Sequence, residues 1–252
     1  MEHLSATPSF SLSFYPAYQD IDMNKQLRLT SFLHKTQEAA EAHAVLYGCG
    51  YHHLITQNIV WVLSRMQMNI RRMPELLEPV RLETWHKRVE RIFALRDFIL
   101  YDAQDIPILW ATSCWLLMDI ESRKMLRVEH ILPHLAQVNI PKEAIQTVPD
   151  KLTAPEGLAL HHIHTVRFSD LDLNNHVNNT KYVEWALDCL SLEELSSRYI
   201  SSFQINFNLE ARYHDPVELF YAQTEHSSRY VEGRRDGKNL FQSVCGLREE
   251  LV

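Results

Sequence analysis

A chain of 252 residues with 46% hydrophobic and 23% charged residues has the composition of a folded globular protein of one or two domains. That balance excludes a disordered chain, and only six glycines exclude a collagen-like or linker-dominated one. A net charge of −7 argues against nucleic acid as a partner. Cys49, Cys114, Cys189 and Cys245 show no CxxC spacing, which speaks against a zinc site or a disulfide scaffold and for a reduced, cytoplasmic protein with neither metal nor cofactor. The opening segment MEHLSATPSFSLSFY has an early acid and no basic segment leading into an apolar run, so it reads as neither a secretory signal nor a transit peptide. The longest apolar stretch, 106–120, is broken by Thr112 and Ser113 and is shorter than the roughly 20 residues a membrane span needs, so no membrane insertion is expected.

In chain order, Phe10, Leu12 and Phe14 alternate with serines and predict a strand. Leu29, Phe32, Leu33, Thr36, Ala40, Ala44 and Tyr47 then fall on one face at a period near 3.6, predicting a long helix with Gly48 as its stop. Runs rich in β-branched and aromatic residues at 59–70, 80–88, 91–102 and 106–119 predict strands, with a hairpin turn at 102–105. Pro133, Pro141, Pro149 and Pro155 mark 133–157 as a linker between a unit at 1–132 and a second at 158–252. The second unit repeats the order: a strand at 162–168, a polar loop, a helix at 179–190, and strands at 202–213, 217–227, 229–235 and 240–249.

The two units also share sequence. YQDIDMN at 18–24 matches FSDLDLN at 168–174, MQMNI at 66–70 matches FQINF at 203–207, and Val80-Arg81-Leu82 matches Val217-Glu218-Leu219. Three matches in one order indicate two copies of one unit. A strand, a long helix and an antiparallel meander place each unit in the α+β class, an order that several folds share.

The segment Asp170-Leu-Asp-Leu-Asn-Asn-His-Val-Asn-Asn179 carries the chemistry. Read as extended chain, it places Asp172, Asn174 and His176 on one face, just ahead of a helix N-terminus with its free N–H groups. Such residues also serve as turn and cap residues. The first copy keeps Asp22 and Asn24 but has Gln26 in place of His176, so the fold does not require the histidine. In the strand read at 202–213, Glu210 falls on the face of Gln204, Asn206 and Asn208, and the repeat register sets Met73 opposite it. The carboxylate and the imidazole therefore occur together in one copy, which predicts one active site, built by the C-terminal unit.

DLDLNNHVNNTKYVEW resembles the signature of the acyl-ACP thioesterases, the plant plastid enzymes and their bacterial relatives, in which a D-x-D-x-N-x-H-V-N-N-x-x-Y segment opens a helix and a glutamate follows on a later strand. NIVWVLSRMQ at 58–67, Leu82-Glu-Thr-Trp85 and Cys114-Trp115 extend the resemblance across most of the chain. The resemblance implies a tandem double hot-dog fold, each unit a curved antiparallel sheet around a long helix. It also implies hydrolysis of the thioester between a fatty acyl chain and acyl carrier protein. Family roles carry over onto Asp172, Asn174, His176 and Glu210, with Glu210 and Asp172 orienting and deprotonating a water and Asn174 and His176 holding substrate or carboxylates. The N-terminal unit is implied to supply the acyl pocket, with Ile59, Trp61, Met66 and Met68, joined by Val177 and Asn178, as substrate-binding residues. Plant members commonly carry a cysteine after the glutamate; Ala211 stands here, which leaves carboxylate-activated water.

The implied partner, acyl carrier protein, is acidic and needs a local basic patch. The candidates are Arg71 and Arg72; Lys87, Arg88 and Arg91; and Arg234, Arg235 and Lys238, with ordinary surface charge as the alternative. A homodimer is compatible with the sequence. Competing readings are an acyl-CoA thioesterase on the same fold, a hot-dog hydratase and a non-catalytic acyl-ACP-binding protein. Hydratases use a D-x-N-x-x-H spacing, whereas Asp172, Asn174 and His176 are spaced D-x-N-x-H.

Overall fold

The computed structural model describes residues 8–225 and 227–249. Residues 1–7 and 250–252, assigned above to the two units, and His226, in the strand expected at 217–227, lie outside that description. The first unit contains β1 (Phe10–Phe14), helix α1 (Leu29–Leu46), a short α2 (Tyr51–Ile55), and strands β2 (Ile59–Ile70), β3 (Val80–Glu90), β4 (Phe93–Tyr101), β5 (Pro107–Asp119) and β6 (Met125–Leu126). Two single-turn helices follow, α3 (Val128–Ile131) and α4 (Pro133–Ala136). The second unit contains β7 (Ala159–Thr165), α5 (Asn179–Asp188), α6 (Leu192–Ser197), β8 (Tyr199–Phe207), β9 (Pro216–Glu225), β10 (Ser228–Arg235) and β11 (Lys238–Arg248).

All the strands belong to one sheet in the order β1-β3-β4-β5-β2-β8-β11-β10-β9-β7, with β6 beside β5. Read outward from the centre, each half repeats the same order. β8 is the counterpart of β2, and the two pair antiparallel at the seam, from Arg65 opposite Asn206 to Asn69 opposite Ser202. The loops ahead of the two long helices match bond for bond. Asp22 N–H donates to Gln26 O at 2.9 Å and Asp172 N–H to His176 O at 2.8 Å; Leu27 N–H donates to Pro74 O at 2.8 Å and Val177 N–H to Ala211 O at 2.9 Å. The second pair confirms the register that sets Met73 opposite Glu210.

The predicted apolar face of α1 is buried, and Gly48 ends the run at φ 67°, a conformation glycine adopts without strain. One core holds both halves together: Phe32 and Leu33 of α1, Met66 and Met68 of β2, Tyr182 and Val183 of α5, and Phe203 and Ile205 of β8. The hairpin turn at 102–105 forms as expected, with Asp105 N–H donating to Asp102 O at 3.0 Å.

The structure departs from the expected elements at several points. The strand expected at 162–168 is β7 (Ala159–Thr165), and Phe168 opens a 3-10 turn. The helix expected at 179–190 stops at Asp188, and Ser191 caps a separate α6, its hydroxyl accepting from Glu194 N–H at 3.2 Å. β8 ends at Phe207 rather than continuing to 213, because Asn208 and Leu209 N–H both converge on Leu240 O and break the alternating ladder. The stretch read as linker is packed against the sheet. Trp85 Nε1–H donates to Lys142 O at 3.0 Å, Lys87 Nζ–H to Ile145 O at 2.8 Å and Ala144 N–H to Asp97 Oδ2 at 2.7 Å, while Leu135 is buried beside Ala94 and Leu117.

Candidate active site

Asp172, Asn174 and His176 are not carried on extended chain. Residues 171–177 form a tight turn closed by the Leu171–Val177 bridge, with Asn175 N–H donating to Asp172 O at 3.1 Å and Asn175 at φ 59°. Asp172 Oδ1 accepts from Asn174 N–H at 2.8 Å and from His176 N–H at 3.4 Å, the local bonding that makes aspartate a turn former. Asp22 does the same for Asn24 and Gln26, at 2.8 and 3.1 Å. Alternation therefore does not sort these side chains: Leu173, expected on the opposite face, lines the same cavity as its three polar neighbours.

Glu210 lies in the loop beyond β8. Two of the strand's amides part from it: Gln204 and Asn206 donate to Asp150 O at 2.7 and 3.2 Å beneath the crossing segment, while Asn208 stays on the cavity wall with Glu210. The face expected to be common to Glu210 and all three amides is therefore kept only by Asn208. Glu210 instead turns to the His176 loop, with Oε2 3.4 Å from His176 Nε2. Tyr182 of α5 fixes this geometry. Its hydroxyl accepts from Ala211 N–H at 3.0 Å and donates to Leu209 O at 3.4 Å, so one buried phenol holds the backbone on both sides of Glu210. Burial pushes that phenol well above its ordinary range and keeps it neutral. The tyrosine is in the NNTKY motif, but a motif does not say which backbone a side chain clamps.

Arg123 is the residue that reading the sequence missed. It stands at φ 57° in the turn between β5 and β6 of the first unit, and its guanidinium donates to Glu210 Oε2 at 2.6 Å. Nothing in its local sequence marks a partner 87 positions away.

These residues line one end of a cavity of about 790 Å³ that runs from the His176 loop under β2 into the first unit. Ile59, Trp61, Val177 and Asn178 are on its wall. Met66 and Met68, expected there, are not; they are 1% and 0% exposed and belong to the core at the β2–β8 seam. A bulge between Leu63 and Arg65 separates the cavity-lining half of β2, 59–64, from its core half. Asn178 also caps α5, accepting from Thr180 N–H at 3.0 Å, so one of the helix-start N–H groups is already taken.

All four cysteines are buried and unpaired with one another. Burial raises the Cys49 thiol to about 11 and those of Cys114, Cys189 and Cys245 to about 12, far from a nucleophilic thiolate. Among the described residues, His161, His162 and Cys189 place three donor atoms within 4.8 Å of one another, away from the cavity. The expected basic patches are largely spent. Lys87 is fully buried, Arg72 pairs with Glu78 and Asp102, Arg88 with Glu90 and Glu143, and Arg234 and Arg235 with Glu232 and Asp215. No helix of the described residues is long and apolar enough to cross a membrane.

The family models for the acyl-ACP thioesterase N-terminal and C-terminal domains match residues 8–133 and 155–240. The chain belongs to the acyl-ACP thioesterase family. Among curated relatives it is 27% identical over 227 residues to the chloroplastic oleoyl-acyl carrier protein thioesterase of Coriandrum sativum, covering 83% of this chain and 61% of that one. It thus spans about three fifths of the length of such relatives. Among solved structures, an acyl-ACP thioesterase from Bacteroides thetaiotaomicron superposes with a TM-score of 0.85 at 25% identity, covering 96% of this chain and 98% of that one. The 12:0-ACP thioesterase of Umbellularia californica shares the fold with a TM-score of 0.86 at 21% identity, over 97% and 98% of the two chains. The architecture is the tandem hot dog of this family.

Proposed function

We propose that this member hydrolyses fatty acyl thioesters of acyl carrier protein, releasing free fatty acid. The observation that carries the reading is the meeting of Asp172, Asn174, His176 and Glu210 at one end of a long, mainly apolar cavity. In this reading the acyl chain lies along 59–64 of β2 and the thioester sits at the His176 loop. Asp172 Oδ2, which has no hydrogen-bond partner among the described residues, and Glu210 hold a water between them. A carboxylate takes a proton from that water as its oxygen adds to the thioester carbonyl carbon. The C–S bond then breaks, and the same proton goes to the departing sulfur. His176 steadies Glu210, and the Asn174 amide donates to the carbonyl oxygen. A thiol nucleophile has no support, since Ala211 follows Glu210 and every cysteine is buried. Arg212, beside Glu210 in a shallow depression at the mouth, gives an acidic carrier protein a cationic contact. Four unpaired cysteines suit a cytoplasmic setting.

The test is release of free thiol from acyl carrier protein loaded with chains of graded length, against matched acyl-CoA. Turnover on the carrier-protein thioesters well above that on CoA thioesters supports the reading. Binding of loaded carrier protein without thiol release would overturn it in favour of a non-catalytic binder.

A further inference from the structure

The inner part of the cavity is not uniformly apolar. Arg96 of β4 and His86 of β3 both line it, directly opposite each other across the strand pair, so their side chains share one face. Arg96 is 8% exposed, and the only hydrogen bonds of its guanidinium among the described residues are from Nη1, to His43 Nδ1 at 3.1 Å and Thr84 Oγ1 at 3.2 Å. No carboxylate among the described residues forms an ion pair with it, although Glu41 on the same cavity wall acts on its charge from a distance. His86 is 2% exposed, and its Nε2 has no hydrogen-bond partner. Its other nitrogen is bonded to the backbone of Leu135, and burial holds the ring neutral, near 3. A neutral imidazole that donates through Nδ1 presents a bare lone pair at Nε2. The chamber wall therefore sets a cationic donor beside a neutral, enclosed acceptor that has no hydrogen-bond partner, and a polar group left so carries a desolvation cost.

We propose, building on the thioesterase reading, that this pair is a receptor for an alcohol: the preferred acyl chains carry a hydroxyl group at a carbon remote from the thioester. The hydroxyl oxygen accepts from Arg96 and its hydrogen is donated to His86 Nε2. Other chain ends match less well. A methyl leaves both groups unpaired, a ketone has no hydrogen for Nε2, and a carboxylate brings lone pairs against it. The position follows from the sheet. Glu210 is held by Arg123, just past the Asp119 end of β5, whereas Arg96 stands opposite Ser113 of that strand, so at ~3.3 Å per residue the pair lies roughly 20 Å along the strand from the Glu210 end. The hydroxyl is thus on the middle or distal part of the chain and not beside the carbonyl.

The test uses saturated chains of one length with a single hydroxyl walked along them, presented as free acids for calorimetric binding and as acyl carrier protein thioesters for kcat/KM. The expected result is one isomer, substituted far from the carboxyl, favoured about 10²-fold over the plain chain in both measurements, as for sites built to pair a substrate hydroxyl. In His86→Leu that ratio falls toward unity, and His86→Gln, which keeps an acceptor, restores part of it. Equal affinity of the folded wild type for plain and hydroxylated chains, or a preference for keto or ω-carboxyl chains, overturns the proposal without involving any variant. Hydroxyl selectivity in binding with no thioester cleavage would defeat the thioesterase reading alone. Cleavage of all chains with no hydroxyl selectivity would defeat this one alone.

Discussion

Glu210 owes its place to the Tyr182 phenol of α5 rather than to the strand that precedes it. Tyr182 is bonded to both neighbours of Glu210, so Tyr182→Phe leaves a buried Ala211 N–H without its acceptor, at a cost of about 1–3 kcal/mol. We expect that variant to lower both the unfolding midpoint and kcat, whereas Glu210→Gln should keep the midpoint and lower kcat by about 10²–10⁴. Thiol release and thermal melts on the two proteins separate the cases; a Glu210→Gln rate within about twofold of wild type removes that carboxylate from the chemistry. Asp172 has two tasks and Asp22 has one. Both close the same turn through Oδ1, and only Asp172 faces the cavity. An asparagine retains Oδ1 as an acceptor. Asp22→Asn should therefore leave turnover unchanged, while Asp172→Asn should lose about 10² or more in kcat, the range for a positioned acid–base group. Equal effects of the two substitutions would reduce Asp172 to a turn residue.

At the scale of elements, β2 divides at its bulge into two functions. Its first half, 59–64, borders the cavity, and Met66 and Met68 seal the seam with β8. Leu63→Ala should shift the chain-length profile, because one methylene in an apolar pocket is worth about 1–3 kcal/mol. Met66→Ala should leave that profile in place and cost about 2–5 kcal/mol of stability, as buried large-to-small changes do. A length panel and urea melts on both variants test the division; a Met66→Ala profile displaced as far as that of Leu63→Ala would erase it. Cys49 lies on the cavity wall at 2% exposure, so alkylation that does reach it acts by filling the chamber and not by removing a nucleophile.

Across the whole molecule, a buried ion pair and a buried neutral imidazole set how the fold responds to its surroundings. Lys87 and Asp97, both fully buried and 3.4 Å apart, pin the segment that crosses between the halves through Ile145 O and Ala144 N–H. Lys87→Met leaves Asp97 buried without its cation and should cost about 3–5 kcal/mol in denaturant unfolding. His86 answers to pH. Desolvation by burial, then the Arg96 charge and His43, hold it near 3, below its ordinary 6.5. Between those values the unfolded chain binds the extra proton, so stability is fully present above pH 6.5 and falls on acidification towards 3, with a slope of up to about 1.4 kcal/mol per pH unit. His86→Leu should flatten that slope; an unchanged slope in the folded variant would show that other groups carry it.

The sequence by itself determined the duplication, the order of elements in each copy and the asymmetry between the copies. These are local signals. Periodicity fixes which face of α1 is buried, and the absence of an imidazole at Gln26 and a carboxylate at Met73 is legible from two aligned segments. The turn around Asp172 was less legible, because Asp and Asn suit an extended run and a tight turn alike until the backbone bonds of Leu27 or Val177 to the far loop are in place. Only the tertiary structure decided that Arg123 reaches Glu210, that Tyr182 clamps its backbone, and that Arg96 and His86 face each other inside the cavity. Each of these depends on where a sheet brings together segments far apart in the chain. Side-chain chemistry alone gives no signal of such pairings, because the same arginine on an outward face would be an ordinary solvated charge.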